Sequence, residues 1–196
     1  MKRAYANEKA SNISIMNIAF RLLLTVNATS LLLLVFLIQK GHTLGYFFPG
    51  SSYLFRLPNA YSYFSYLLVP IILTWLSILM SSMLGSDEFK KNSITNIEHA
   101  NNSFLPSYLS YFFVALSINN WETLFFVYGI LFVFTFLSQA LYFNPLFLLF
   151  GFEFYNIKTK NGAAVFLISR EHYKTPADIE IRMAHRINGY TYIERD

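Results

Sequence analysis

TLFFVYGILFVFTFLSQALYFNPLFLLF, residues 123–150, contains no charged side chain and consists mostly of Leu, Phe, Val, Ile and Tyr. A helix rises about 1.5 Å per residue, so residues 123–143 reach roughly 31 Å, matching a hydrocarbon core of about 30 Å. Asn144-Pro145 then interrupts the run, because the residue before a proline is biased away from helix. From Glu153 onward the chain turns polar, charged and β-like. The stretch therefore reads as a membrane span handing over to a water-facing tail.

Working outward, the composition agrees. The 196 residues are 55% hydrophobic and 13% charged, against about 25% charged in soluble domains. No cysteine is present, which excludes disulfides and thiolate metal sites. The first apolar run begins after a long polar leader, with no cleavage pattern behind it, so no signal peptide is expected.

Three further apolar runs precede the quoted one, over residues 22–39, 61–84 and 103–118. Arg21 and Lys40 bracket the first and snorkel toward headgroups. Pro70 lies inside the second and predicts a kink. The third is the shortest, with Pro106 near its start and Asn119-Asn120 as a turn behind it. Residues 1–21 form a cytoplasmic N-terminal segment with a short interfacial helix. Residues 41–60 read as a loop whose aromatics Tyr46, Phe47, Phe48, Tyr53 and Phe55 suit the headgroup region. Residues 85–102 read as a polar loop.

The tail, residues 144–196, contains two Asn-Gly pairs between β-like runs, Asn161-Gly162 and Asn188-Gly189. Each is a hairpin signal, because both residues accept positive φ. The expected fold is an α-helical membrane protein, with four transmembrane helices over residues 22–143 and a small C-terminal antiparallel β tail in the cytoplasm. Positive charges set the orientation. With four spans, thirteen of the fifteen Lys and Arg fall on the side of the two termini, which is then the cytoplasm.

Chemistry is sparse. No ionisable residue lies inside an apolar run, which argues against a coupled transporter. Asn27 and Gln139 either line a pathway or hydrogen-bond between helices. His42, His99, His172 and His185 lack the spacing of a zinc-protease helix and read as solvated loop or strand residues. We expect no catalytic residue, no metal and no cofactor. The tail from Gly151 carries seven basic and six acidic residues, too balanced for direct nucleic-acid binding. It is also near the lower limit for folding alone, so it should pack on the 85–102 loop, on its own copies or on another protein. Tyr155, Ile157, Val165, Leu167, Tyr190 and Tyr192 are its candidate partner-docking residues.

The layout, with the runs Phe154-Tyr155-Asn156-Ile157-Lys158-Thr159, Val165-Phe166-Leu167-Ile168-Ser169 and Tyr190-Thr191-Tyr192-Ile193, resembles the membrane subunit of the Kiwa anti-phage defence system (KwaA-like). The resemblance covers the whole chain as a plan and implies a homo-oligomeric sensor and scaffold. It further implies a cytoplasmic DNA-binding effector subunit as partner, and a periplasmic sensing role for the 41–60 loop. A pore that depolarises the cell and a small transporter are the alternative functions.

Overall fold

The computed structural model describes residues 2–103, 105–138 and 144–195, with side chains from residue 16 onward apart from residue 107. Gln139 and the end of the last expected span lie outside the described residues.

Helix α1, Lys2–Gln39, is continuous, so the leader and the first apolar run form one rod rather than two pieces. Short helices α2, Leu44–Phe47, and α3, Ser52–Arg56, occupy the first loop. Helix α4, Asn59–Ser81, contains Pro70. Helices α5, Leu105–Ser117, and α6, Trp121–Ser138, form a hairpin, and α7, Leu146–Leu149, follows Pro145. Helix α1 is central and packs against α4, α5 and α6. Its inward face carries Phe20, Leu24, Ala28, Leu32 and Phe36, all buried, at four-residue steps that line one side of a helix.

Among the described residues, three helical segments are long and apolar enough to cross a membrane: Met16–Gln39, Asn59–Ser81 and Trp121–Ser138. The expectation of four such helices is corrected here. Helix α5 has 13 residues, about 20 Å, and its apolar part is Tyr108–Ser117. Pro106 near its start and Asn119-Asn120 beyond its end hold it to that length.

The larger correction concerns the tail. The chain is mixed α/β, with one six-stranded sheet in the order β1-β5-β6-β4-β3-β2. Strands β1, Ser86–Phe89, and β2, Ile94–His99, come from the supposed polar loop. Strands β3, Glu153–Thr159, β4, Ala164–Ser169, β5, Ile181–Arg186, and β6, Thr191–Glu194, come from the tail. Nor is the sheet wholly antiparallel, because β4 and β6 pair in parallel.

Both expected hairpins are present, β3–β4 and β5–β6. Only Gly162 adopts a positive φ, at +81°. The second turn is instead closed by the Asn188 side chain, whose Oδ1 accepts from the Tyr190 N–H at 2.8 Å, as an Asx turn does.

Strands β1 and β2 occupy opposite edges yet are joined by Lys90–Ser93 alone. The edges of a flat six-stranded sheet stand about 24 Å apart. The link covers five Cα steps, about 19 Å fully extended, and it is folded tighter than that. The Ser93 N–H donates to the Lys90 carbonyl at 2.9 Å, and Asn92 has φ +61°. The sheet therefore curls into an open barrel. Its interior holds Ile94, Tyr155, Ile157, Val165, Leu167, Ile181, Ala184 and Tyr192. Its outer face presents Phe154, Phe166, Ile168 and Ile193 to the helices. Residues of alternate parity serve the two faces, which is why β4 is buried almost along its whole length.

Candidate functional site

The seam between helices and sheet is the part of the molecule where separate elements converge on one set of side chains. Phe20 and Leu24 of α1, Ile78 of α4 and Leu84 meet Phe147 of α7 and the outer-face residues of β3, β4 and β6. Phe154 stacks on Phe166 at 5.7 Å between ring centroids, and Phe147 meets Phe152 edge-on at 5.9 Å.

Polar contacts pin the seam at defined points. Asn27, Thr74 and Asn144 are each 1% exposed or less. The Asn27 amide is best satisfied with its oxygen 2.8 Å from Thr74 Oγ1 and 2.7 Å from Asn144 Nδ2, and its nitrogen 3.1 Å from the Pro70 carbonyl. Asn144 Oδ1 accepts from the Leu146 N–H at 3.0 Å and so begins α7. The Asn144-Pro145 break is thus tied to α1 and α4 together. Asn27 is a bond between helices, the plainer of its two readings. At the far end of the chain, Arg195 Nη1 donates to the carbonyls of Ile78 at 2.9 Å and Leu79 at 3.3 Å. A guanidinium there satisfies carbonyls that a helix C-terminus leaves open. His185 Nδ1 lies 3.2 Å from the Leu84 carbonyl.

A second polar cluster sits at the start of β3. Glu153 accepts from Tyr155 Oη and has His172 Nδ1 at 3.0 Å and His99 Nε2 at 3.5 Å. Burial alone would raise the Glu153 carboxyl. Hydrogen bonds from Tyr155 and His172, with the charge of the two histidines, outweigh it and hold the group below the usual glutamate range. Burial, and then the bond to Glu153, push the Tyr155 phenol up. A carboxyl depressed by folding stabilises fully above its unfolded value, and that stabilisation is lost as pH falls toward the folded one. Wild type should therefore destabilise more steeply below about pH 4.3 than Glu153→Gln, in melting curves of the full-length protein. Equal slopes would remove the cluster from any account of acid stability.

The candidate residues fall in unequal places. Tyr155, Ile157, Val165, Leu167 and Tyr192 are buried inside the barrel, where their side chains pack against one another. Tyr190 is 70% exposed. In the first loop, His42 stacks between Tyr46 at 4.1 Å and Trp121 at 5.3 Å, with Phe47 edge-on to both Tyr46 and Trp121. Phe48, Tyr53 and Phe55 stand exposed beyond that cluster. The reading of the histidines as solvated is corrected for two of them: His185 is buried and His42 is held in the aromatic stack. Among the described residues, no group of three or more His, Asp or Glu is placed to hold a metal ion.

A family model described as anti-phage protein KwaA matches residues 20–193. The chain belongs to the KwaA family. The match begins inside α1 and ends in β6, so it covers the helices, the seam and the sheet together. A curated-protein comparison and a solved-structure comparison return no match. Membership of the KwaA family makes this chain a component of antiviral defence.

For this KwaA-family chain, sequence reasoning overlooked β1, β2 and Arg195. The two strands sit at sheet edges, where polar side chains on both faces erase the alternation that marks a strand. Arg195 lies next to the last residue of the chain, and only the tertiary fold brings it beside α4. A detectable signal was the need for extra strands, since the tail alone is too small to stand.

Proposed function

We propose that the chain is the membrane-anchored scaffold of its defence system. In this reading the helices lie in a bacterial inner membrane, and the sheet, with the N-terminal end of α1, faces the cytoplasm. The observation that carries it is the surface of α6. Within it only Leu124 is fully buried, while Phe125, Phe126, Val133, Phe134 and Leu137 are exposed. One face of α6, with Trp121, Leu124, Val127, Tyr128 and Leu131, packs inward, and the broad apolar face left exposed suits lipid or further copies of the chain. Two facts support the orientation. The 85–102 segment and the tail share one sheet, and most of the chain's Lys and Arg belong to that side.

The scaffold forms a homo-oligomer through the exposed apolar helices and holds a cytoplasmic DNA-binding effector, which performs the chemistry. On this reading the chain itself is not an enzyme, and the first loop senses disturbance from the periplasmic side. The pore alternative gains no support from the helices, because Thr25, Asn27, Thr29 and Thr74 are buried and bonded within the bundle.

On the sheet, Tyr190 and Met183 are the large exposed apolar side chains, and an exposed aromatic is a common hot spot. Purification of the full-length protein from native membranes should recover a cytoplasmic partner. The double variant Met183→Ala, Tyr190→Ala should recover about tenfold less and weaken phage resistance. Recovery and resistance unchanged in the variant would refute docking at this face. A wild-type protein found in the soluble fraction would refute the membrane reading.

A further inference from the structure

Where α4 ends on the sheet, a crevice of about 110 Å³ opens between Ile78, Phe152, Arg170, Glu171, Glu194 and Arg195. By volume it holds about four waters, the room of a small polar headgroup rather than of a nucleotide. Three of its four charges are held by neighbours. The Arg170 guanidinium lies 4.6 Å from the Phe152 ring centroid. Arg195 is held by the α4 carbonyls through Nη1, and a guanidinium has further N–H groups to offer. Glu194 is held by Ser169 Oγ at 2.5 Å and Tyr173 Oη at 2.9 Å, and Glu171 is exposed at the crevice.

The approach to this crevice is apolar. Ile72, Trp75, Leu76, Leu79 and Met83 are exposed along α4 and beyond its end, at spacings that place them on one helix face. That stripe runs down to Leu79, whose carbonyl Arg195 caps. An apolar track ending in a small charged crevice has the shape of an amphiphile: chains on the track, headgroup in the crevice.

The lining decides the headgroup. Two guanidinium groups suit a phosphate, but two carboxylates in the same space oppose a purely anionic ligand. We propose that the crevice binds the zwitterionic headgroup of a phosphoethanolamine lipid, phosphate to Arg170 and Arg195, primary ammonium to the Glu171 side. An ammonium has three N–H donors; the trimethylated choline group has none. The proposal rests on the membrane placement above, and its test separates the two.

Full-length protein in detergent is mixed with phosphatidylethanolamine, phosphatidylcholine and phosphatidylglycerol of matched acyl chains, and retained lipid is read by native mass spectrometry. The ethanolamine lipid should be retained about tenfold over the other two. Arg170→Ala and Glu171→Gln should each bring it down to the choline level. Glu171→Gln changes an exposed residue at constant size, so it keeps the test valid if Arg170→Ala fails to fold. Equal retention of all three lipids, a preference for phosphatidylglycerol, or a preference that survives both substitutions overturns the proposal. Sedimentation of the same proteins with cell membranes reads the placement independently. Failure of the wild type there refutes the membrane reading, and absence of headgroup preference in the wild type with sedimentation intact refutes the crevice alone.

Discussion

Replacing residues 86–99 with a Gly/Ser linker of equal length should unfold the sheet while leaving the helices helical. The substitution removes both edge strands at once. Strand β2 covers the outer side of β3 through the pairs Ile97 with Ile157 and His99 with Tyr155, and β1 covers β5. Ile94, 4% exposed, leaves the barrel core with them. Truncating one such side chain costs about 2–5 kcal/mol, and whole domains are stable by only about 5–15 kcal/mol. What remains is the tail alone, below the size at which a single core suffices. Limited proteolysis of the full-length protein should then cut within residues 153–194 and spare α1 and α4. Protection of the tail at the wild-type level would show that the four C-terminal strands need no edges.

Phe154→Ala should be the most damaging single change at the seam, at about 3–5 kcal/mol. The side chain is fully buried and stacks on Phe166, on the face of β3 turned to the helices. Ile157→Ala is the matched comparison. It also empties a buried site, but on the barrel-interior face. Hydrogen exchange should separate them: Phe154→Ala loosens α7 and the end of α4 along with β3, whereas Ile157→Ala loosens the barrel and leaves α4 protected. Phe134→Ala, on the exposed surface of α6, should be nearly neutral in detergent. Identical exchange patterns for the two β3 variants would mean that the seam and the barrel form one cooperative unit.

Legibility in the sequence followed the range of the forces involved. Apolar length announced α1, α4 and α6, because an uninterrupted apolar run is a local property of the sequence. Asn161-Gly162 announced the first hairpin, because a left-handed turn residue is a local requirement. Along β3 and β4 the alternation was visible, and Tyr155, Ile157, Val165 and Leu167 do share a face. That face lies inside the barrel. Since Phe154, Phe166 and Ile168 are equally apolar, period alone does not say which face looks outward. SDEF and ITNIEH carried no strand signal, because each pairs on one side only. The seam was the least legible feature. Asn27, Thr74 and Asn144 are distant in sequence, and their hydrogen bonds exist only once α1, α4 and the Asn144-Pro145 break have met.

The turn at Lys90–Ser93 has a consequence for synthesis. Strands β1 and β2 leave the ribosome before α5 and α6 exist, and β2 must wait about fifty residues for β3. At roughly 5–20 residues per second, the wait is about 3–10 s. During it two polar strands stand apart with nothing between them. They close around the tail only if the α5–α6 hairpin has brought the chain back to the same end of the bundle. Completion of the sheet thus depends on correct helix placement: a chain with a misplaced hairpin would strand its tail away from β1 and β2, where it stays open to proteolysis.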